Sequence, residues 1–254
     1  MTTESTDLIL RRFVSELRGS VPLVAVWAHG SLALGDFQPG RSDLDLIAVV
    51  ERPVDAQERE RLATLHRLLA VEHPDATRLH CSYLPEAALS DAGTDHLTWA
   101  HSRMLRRPVT PISRRELLDG GLTLHGPPPT ALLPPLAPGE LAAHIRRDLR
   151  HYWLPATAKP QLWLQDIWVD LGLLVLARAT VTLRDGRLIT KAEALDELPL
   201  LGAPLDVVDD IRARRYGTPD PLSPLPRLRR AARARAFLRR GIRATLTGAG
   251  TSPG

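Results

Sequence analysis

Asp43 and Asp45 are the residues of this sequence best suited to chemistry. They stand one residue apart in Asp43-Leu-Asp-Leu-Ile-Ala-Val-Val50, whose apolar, β-branched character reads as a strand. Alternation along a strand puts both carboxylates on one face and turns Leu44 and Leu46 toward a core. Two parallel carboxylates repel each other unless a cation lies between them. Mg²⁺ is the usual solution, because it accepts one or two carboxylates and completes its shell with water and phosphate oxygens. Upstream, His29-Gly30-Ser31 follows a second apolar run, residues 22–28 (PLVAVWA). Glycine lets backbone N–H groups approach phosphate oxygens, and a helix opening at Gly30-Ser31 presents unpaired N–H groups to an anion. A phosphate cradle and a metal pair on neighbouring strands suit phosphoryl chemistry, which depends mostly on positioning and charge neutralisation. Alone, an Asp-Leu-Asp is commonly a solvated strand edge and a Gly-Ser a turn. Their order and separation between two apolar runs carry the reading.

The elements that must position these groups follow from periodicity. Residues 7–18 space Leu8, Leu10, Phe13, Val14 and Leu17 on one helical face, and residues 55–71 form a second helix ended before His73-Pro74. Residues 77–84 (TRLHCSYL) read as a third strand, stopped by Pro85. Strand, turn, strand, helix, strand describes a small α/β unit, assigned to residues 1–126. Residues 127–138 (PPPTALLPPLAP) are too proline-dense for a helix and read as a connector. Helices are then expected over 139–153, 161–183, 190–198, 205–216 and 225–246, giving a helical domain at 139–248 and a disordered tail at 249–254. The fourth-from-last of these is apolar on most faces and so buried. Thr190-Lys-Ala-Glu193 is a capping-box pattern, and Gly217 is a stop signal.

Composition bounds the function classes. The chain has 254 residues, 44% apolar and 24% charged, with a formal net charge of +4. One cysteine, Cys81, excludes an intramolecular disulfide and fits a reducing cytoplasm. No apolar run reaches the length of a bilayer span, so no membrane partner is expected. The last helix carries Arg227, Arg229, Arg230, Arg233, Arg235, Arg239, Arg240 and Arg243. It also has an apolar stripe of Leu228, Ala231, Leu238 and Ile242, and Phe237 is its lone aromatic, so it reads as a bundle helix rather than a nucleic-acid surface.

Gly-Ser after a first strand, about a dozen residues, then Asp-x-Asp entering a second strand resembles the polymerase-β-like nucleotidyltransferase signature. The two-part layout is similar to the streptomycin/spectinomycin adenylyltransferases, aminoglycoside-modifying enzymes with an α/β head on a mixed sheet and an all-α tail. That resemblance implies ATP as donor, Mg²⁺ on Asp43 and Asp45, and a small hydroxylated acceptor, cationic if the likeness extends that far. It implies triphosphate contacts from Gly30, Ser31 and Ser42. In the helical domain it implies a phosphate-binding Lys191, five residues beyond Gly186, and a nucleotide contact from Tyr216. Trp99, Trp153 and Asp166 match its substrate-facing positions.

One departure stands out. The family carries a third acidic residue, the base, on the strand after the Asp-x-Asp helix, whereas residues 77–84 contain no Asp or Glu. Alternation places Arg78, His80 and Ser82 on one face, so His80 or Arg78 replaces the acid, and a neutral His80 can accept a proton near pH 7 as the base. A second family acid is replaced around Lys159-Pro-Gln. Three alternatives therefore stay open: transfer to a small molecule, transfer to a macromolecule, and a nucleotide-binding pseudoenzyme. Asp166, in an apolar segment, needs a partner, either a cationic ligand or Arg178.

Overall fold

The computed structural model describes residues 3–91 and 93–248, and the chain divides into two compact units, 1–138 and 139–254. The expected disordered tail, 249–254, lies outside the described residues. The first unit runs α1 (Thr3–Arg18), β1 (Leu23–His29), α2 (Gly30–Ala33), β2 (Leu44–Val50), α3 (Ala56–Glu72), β3 (Leu79–Pro85), β4 (Asp95–Ala100), β5 (Arg103–Pro108), α4 (Pro111–Gly120), β6 (Leu122–His125) and α5 (Pro129–Leu132). Its six strands lie in the order β5-β4-β3-β2-β1-β6. β2 and β3 pair in parallel across the α3 crossover, and the other pairs are antiparallel, which makes the sheet mixed.

Alternation divides this sheet into two cores. Leu44, Leu46, Ala48 and Val50 of β2 pack with Phe13 and Leu17 of α1 and Leu62 of α3. Ile47 and Val49 face the other side with Ala25, Trp27 and Leu117 of α4. α3 is started by a reciprocal cap: Glu58 N donates to Asp55 Oδ1 at 2.8 Å and Asp55 N to Glu58 Oε2 at 2.9 Å. Gly126 turns the chain after β6 with φ 71°, where a Cβ would come within 2.1 Å of Val24 O.

Several sequence expectations are corrected. The strand expected at 77–84 begins at Leu79, because Pro74–Arg78 forms a tight 3₁₀ turn held by Thr77 Oγ1 donating to Pro74 O. The proline-rich segment is no free connector: Trp27 Nε1 donates to Pro127 O at 2.7 Å, and Leu133 is buried beside Trp27. The strands β4–β6 and helix α4 had no sequence reading at all.

The second unit comprises α6 (Glu140–Asp148), a π-helical turn (Leu149–Trp153), the short α7 (Leu154–Ala156), a 3₁₀ turn (Pro160–Leu164), α8 (Asp166–Asp185), α9 (Lys191–Leu200), α10 (Leu205–Tyr216) and α11 (Pro224–Gly248). The helix expected at 161–183 breaks at Gln165, and the one expected at 139–153 ends in the π turn just before Pro155. α8 packs against α9 and α11. The capping box on α9 forms, with Glu193 N donating to Thr190 Oγ1 at 3.0 Å. Among the described residues no helix is long and apolar enough to cross a membrane.

Candidate active site

Asp45 lies at the centre of the first unit's sheet, and its neighbours on both sides are histidines. β1 brings His29 opposite Asp45, and β3 brings His80 opposite it, so all three share the face that also carries Trp27 and Ile47. His80 Nδ1 stands 3.5 Å from Asp45 Oδ1, and the His80 side chain is only 8% exposed against 32% for Asp45. Beyond His80, the ring of His101 packs edge-on at 4.9 Å between centroids. Beyond His29, Glu116 Oε2 accepts from His29 Nδ1 at 2.9 Å. Burial pushes the Asp45 pKa up, but the hydrogen bond from His80 and the fields of His29, His80 and Arg107 outweigh it. The carboxyl is held below its usual range, so it is an anion at neutral pH.

Gly30 opens α2 with φ 64°, and a Cβ there would stand 3.1 Å from Asp45 Oδ2. Both the backbone conformation and the close approach to the carboxylate call for glycine. Ser31 follows it in α2. Asp43 precedes β2, is 47% exposed, and has Arg78 Nη1 at 3.8 Å. Ser42 is buried, its Oγ accepting from Gln38 N at 3.0 Å, so it staples the loop that delivers Asp43.

The structure thus brings together Gly30, Asp45 and His80, with Asp43 and Ser31 flanking them along the chain. It does not bring Trp99 there. Trp99 registers with Cys81 and stacks flat on His66 of α3, 4.7 Å between centroids, on the opposite face of the sheet. In the second unit Trp153 is buried and donates through Nε1 to Asp148 Oδ2 at 3.0 Å. Asp166 opens α8 and is bonded by Arg230 of α11; Arg178, the partner expected from sequence, donates instead to Ile189 O. Lys191 is the first residue of α9, and Tyr216 the last of α10, its hydroxyl accepting from Arg215 Nε at 2.9 Å. Sequence reasoning passed over His29 as a functional group, although it adjoins Gly30. Glu116 and His101 gave no local signal, because helix and hairpin pairing bring them in from 87 and 56 residues beyond Asp45's neighbours and Asp45 itself.

A family model described as a nucleotidyltransferase domain matches residues 9–91, a span that includes Gly30, Ser31, Asp43, Asp45 and His80. The solved structure of spectinomycin adenyltransferase AAD(9) from Enterococcus faecialis, with ATP and spectinomycin, is similar with a TM-score of 0.71. That likeness covers 96% of this chain and 100% of that one at 14% identity, so it is a likeness of fold. No curated protein sequence matches the chain. Residues 9–91 therefore match a nucleotidyltransferase domain, and the chain as a whole shares the fold of that adenyltransferase.

Proposed function

We propose that the chain transfers AMP from ATP to a hydroxyl group of a small molecule. The observation that carries this reading is the Asp45 carboxylate, ionised, part-exposed and flanked by His29 and His80, with glycine rather than a side chain at its edge. That glycine leaves room beside the carboxylate for phosphate oxygens.

The residues present fit Mg²⁺. Asp43 and Asp45 offer hard anionic oxygens, and among the described residues no cluster of three or more His, Cys, Asp or Glu side chains forms a full cage. A site of two carboxylates completed by water and triphosphate oxygens is what Mg²⁺ accepts. When bound, the ion neutralises charge on the phosphates. The chain's own groups do the rest. Gly30 and Ser31 bind the phosphates through backbone N–H and hydroxyl groups, and Ser42 holds the Asp43 loop. The acceptor oxygen attacks the α-phosphorus, its bond to the β-phosphate oxygen breaks, and pyrophosphate leaves with the electron pair. His80 takes the hydroxyl proton on a ring nitrogen.

The acceptor differs in one respect from a polycationic aminoglycoside. Asp166 is engaged by Arg230 and Asp170 by Arg214, so neither carboxylate waits for a cation. A neutral or weakly charged hydroxylated compound is the class this favours. Pyrophosphate release by the purified chain, with each nucleoside triphosphate in turn and a panel of acceptors including spectinomycin, tests the proposal. ATP should be preferred, and release should need Mg²⁺. Nucleotide binding without pyrophosphate release from any donor would favour a pseudoenzyme instead.

A further inference from the structure

We propose that His101 is a positioning residue for His80, and that the β4–β5 hairpin keeps a strained turn in order to present its ring; this rests on the reading of His80 given above. Ala100 pairs with Arg103, so His101 and Ser102 form a two-residue turn. Their φ angles are 51° and 59°, and they are the two non-glycine residues at positive φ among those described. Turns of this kind favour Asn-Gly, because a Cβ in the left-handed region meets the backbone. Both residues are exposed, so packing in a core does not impose them. What the histidine adds is its ring, set edge-on to His80 at 4.9 Å and 67°.

His80 needs such a neighbour. Its χ2 torsion is intrinsically broad, so the ring plane is set by what surrounds it. Asp45 holds one edge through Nδ1 at 3.5 Å, a loose contact that permits the ring to rock. His101 adds a second contact, edge-on to the ring. Backbone strain persists where the surrounding structure over-determines it, and it collects at sites that must be held in one geometry.

The test uses the full chain and four variants: Ser102→Gly, His101→Asn with Ser102→Gly, His80→Ala, and the triple combination. Ser102→Gly relieves strain and keeps the ring, so Tm should rise by about 2–4 °C with kcat unchanged. The Asn-Gly turn should be at least as stable, yet kcat should fall about tenfold with little change in the KM for MgATP. Added to His80→Ala, the Asn-Gly turn should cost nothing further. Relaxation of the His80 imidazole ¹³C and ¹⁵N nuclei gives a reading independent of turnover: one rigid ring in the wild type and Ser102→Gly, an averaged one in the Asn-Gly variant. A His80 ring equally rigid without His101 overturns the proposal, as does full kcat in the Asn-Gly variant when His80→Ala is impaired. If His80→Ala turns over like the wild type, the reading of His80 as base falls instead, and the relaxation data still decide the role of His101.

Discussion

Two acid clusters, one in each unit, are held in opposite ways. In the first, Asp45 is held by imidazoles, at 3.5 Å on one side and across a strand pair on the other, with Arg107 adding its field. In the second, Arg214 grips Asp170 through Nε and Nη2 at 2.9 and 2.6 Å and Asp210 through Nη1 at 2.6 Å. Arg230 bridges Asp210 to Asp166. Burial opposes the Arg214 charge, but its bonds to Asp170 and Asp210 push its pKa above the ordinary arginine value. Burial also raises the Asp170 pKa, despite Arg214. Saturated carboxylates hold helices together; an ionised carboxylate left with weak, exchangeable partners has capacity for a ligand.

Removing the acids breaks the comparison most sharply. Asp43→Asn with Asp45→Asn should reduce pyrophosphate release to background and abolish Mg²⁺-dependent ATP binding in calorimetry, with the unfolding midpoint little changed. Unchanged ATP affinity would retire the metal assignment. Arg214→Ala should do the reverse. It leaves Asp170 without its cation and Asp210 with Arg230 alone, and should lower stability by about 3–5 kcal/mol in urea unfolding, since Arg214 and both acids are mostly shielded from solvent. A loss under 1 kcal/mol would show that the network is screened and that the contrast is overstated.

A second contrast, between the two faces of the sheet, predicts a pH effect. His66 is buried on the α3 side, stacked on Trp99, with Nε2 2.6 Å from the Tyr83 hydroxyl. Burial, helped by the nearby His80, pulls its pKa down to about 3. The folded state therefore binds fewer protons than the unfolded state between about pH 6.5 and 3, so stability is complete above that window and is lost as pH falls into it. Between pH 7 and 5 the loss should be about 2 kcal/mol, set by protonation of the unfolded chain. Urea midpoints at the two pH values should show it, and His66→Phe should remove most of the difference.

The legible parts of the molecule were those coded locally. The Gly30-Ser31 and Asp43-Leu-Asp45 segments announce themselves because glycine at positive φ and alternating carboxylates are local requirements of strand and turn. The α9 helix is legible for the same reason, through a cap written within four residues, and α3 through its leucine spacing and the His73-Pro74 stop. Glu116, His101 and the β4–β6 strands were not. They are short, carry charged residues such as Arg103, Arg106 and Arg107, and gain meaning only from sheet pairing that a periodicity cannot reveal. Trp99 misled because a tryptophan reads alike on either face. Which face it takes depends on its register with Cys81.

Lys191 sharpens the first comparison at the smallest scale, because the family resemblance suggests it as a nucleotide contact rather than as part of the fold. It stands at the first position of α9, directly after the Thr190 cap, where the helix dipole disfavours a positive charge. Arg214 sits where its charge secures neighbouring helices; Lys191 sits where the helix dipole opposes its charge. Replacing it should change stability by no more than a few tenths of a kcal/mol, while weakening the contact with phosphate. Lys191→Ala should raise the KM for ATP about tenfold, equivalent to about 1.4 kcal/mol of a charge-assisted hydrogen bond, with kcat less affected. Lys191→Arg should recover part of the affinity, since an arginine can still donate to phosphate oxygens. A Lys191→Ala enzyme with wild-type KM and a lower unfolding midpoint would place this lysine with Arg214, among the residues that only build the bundle.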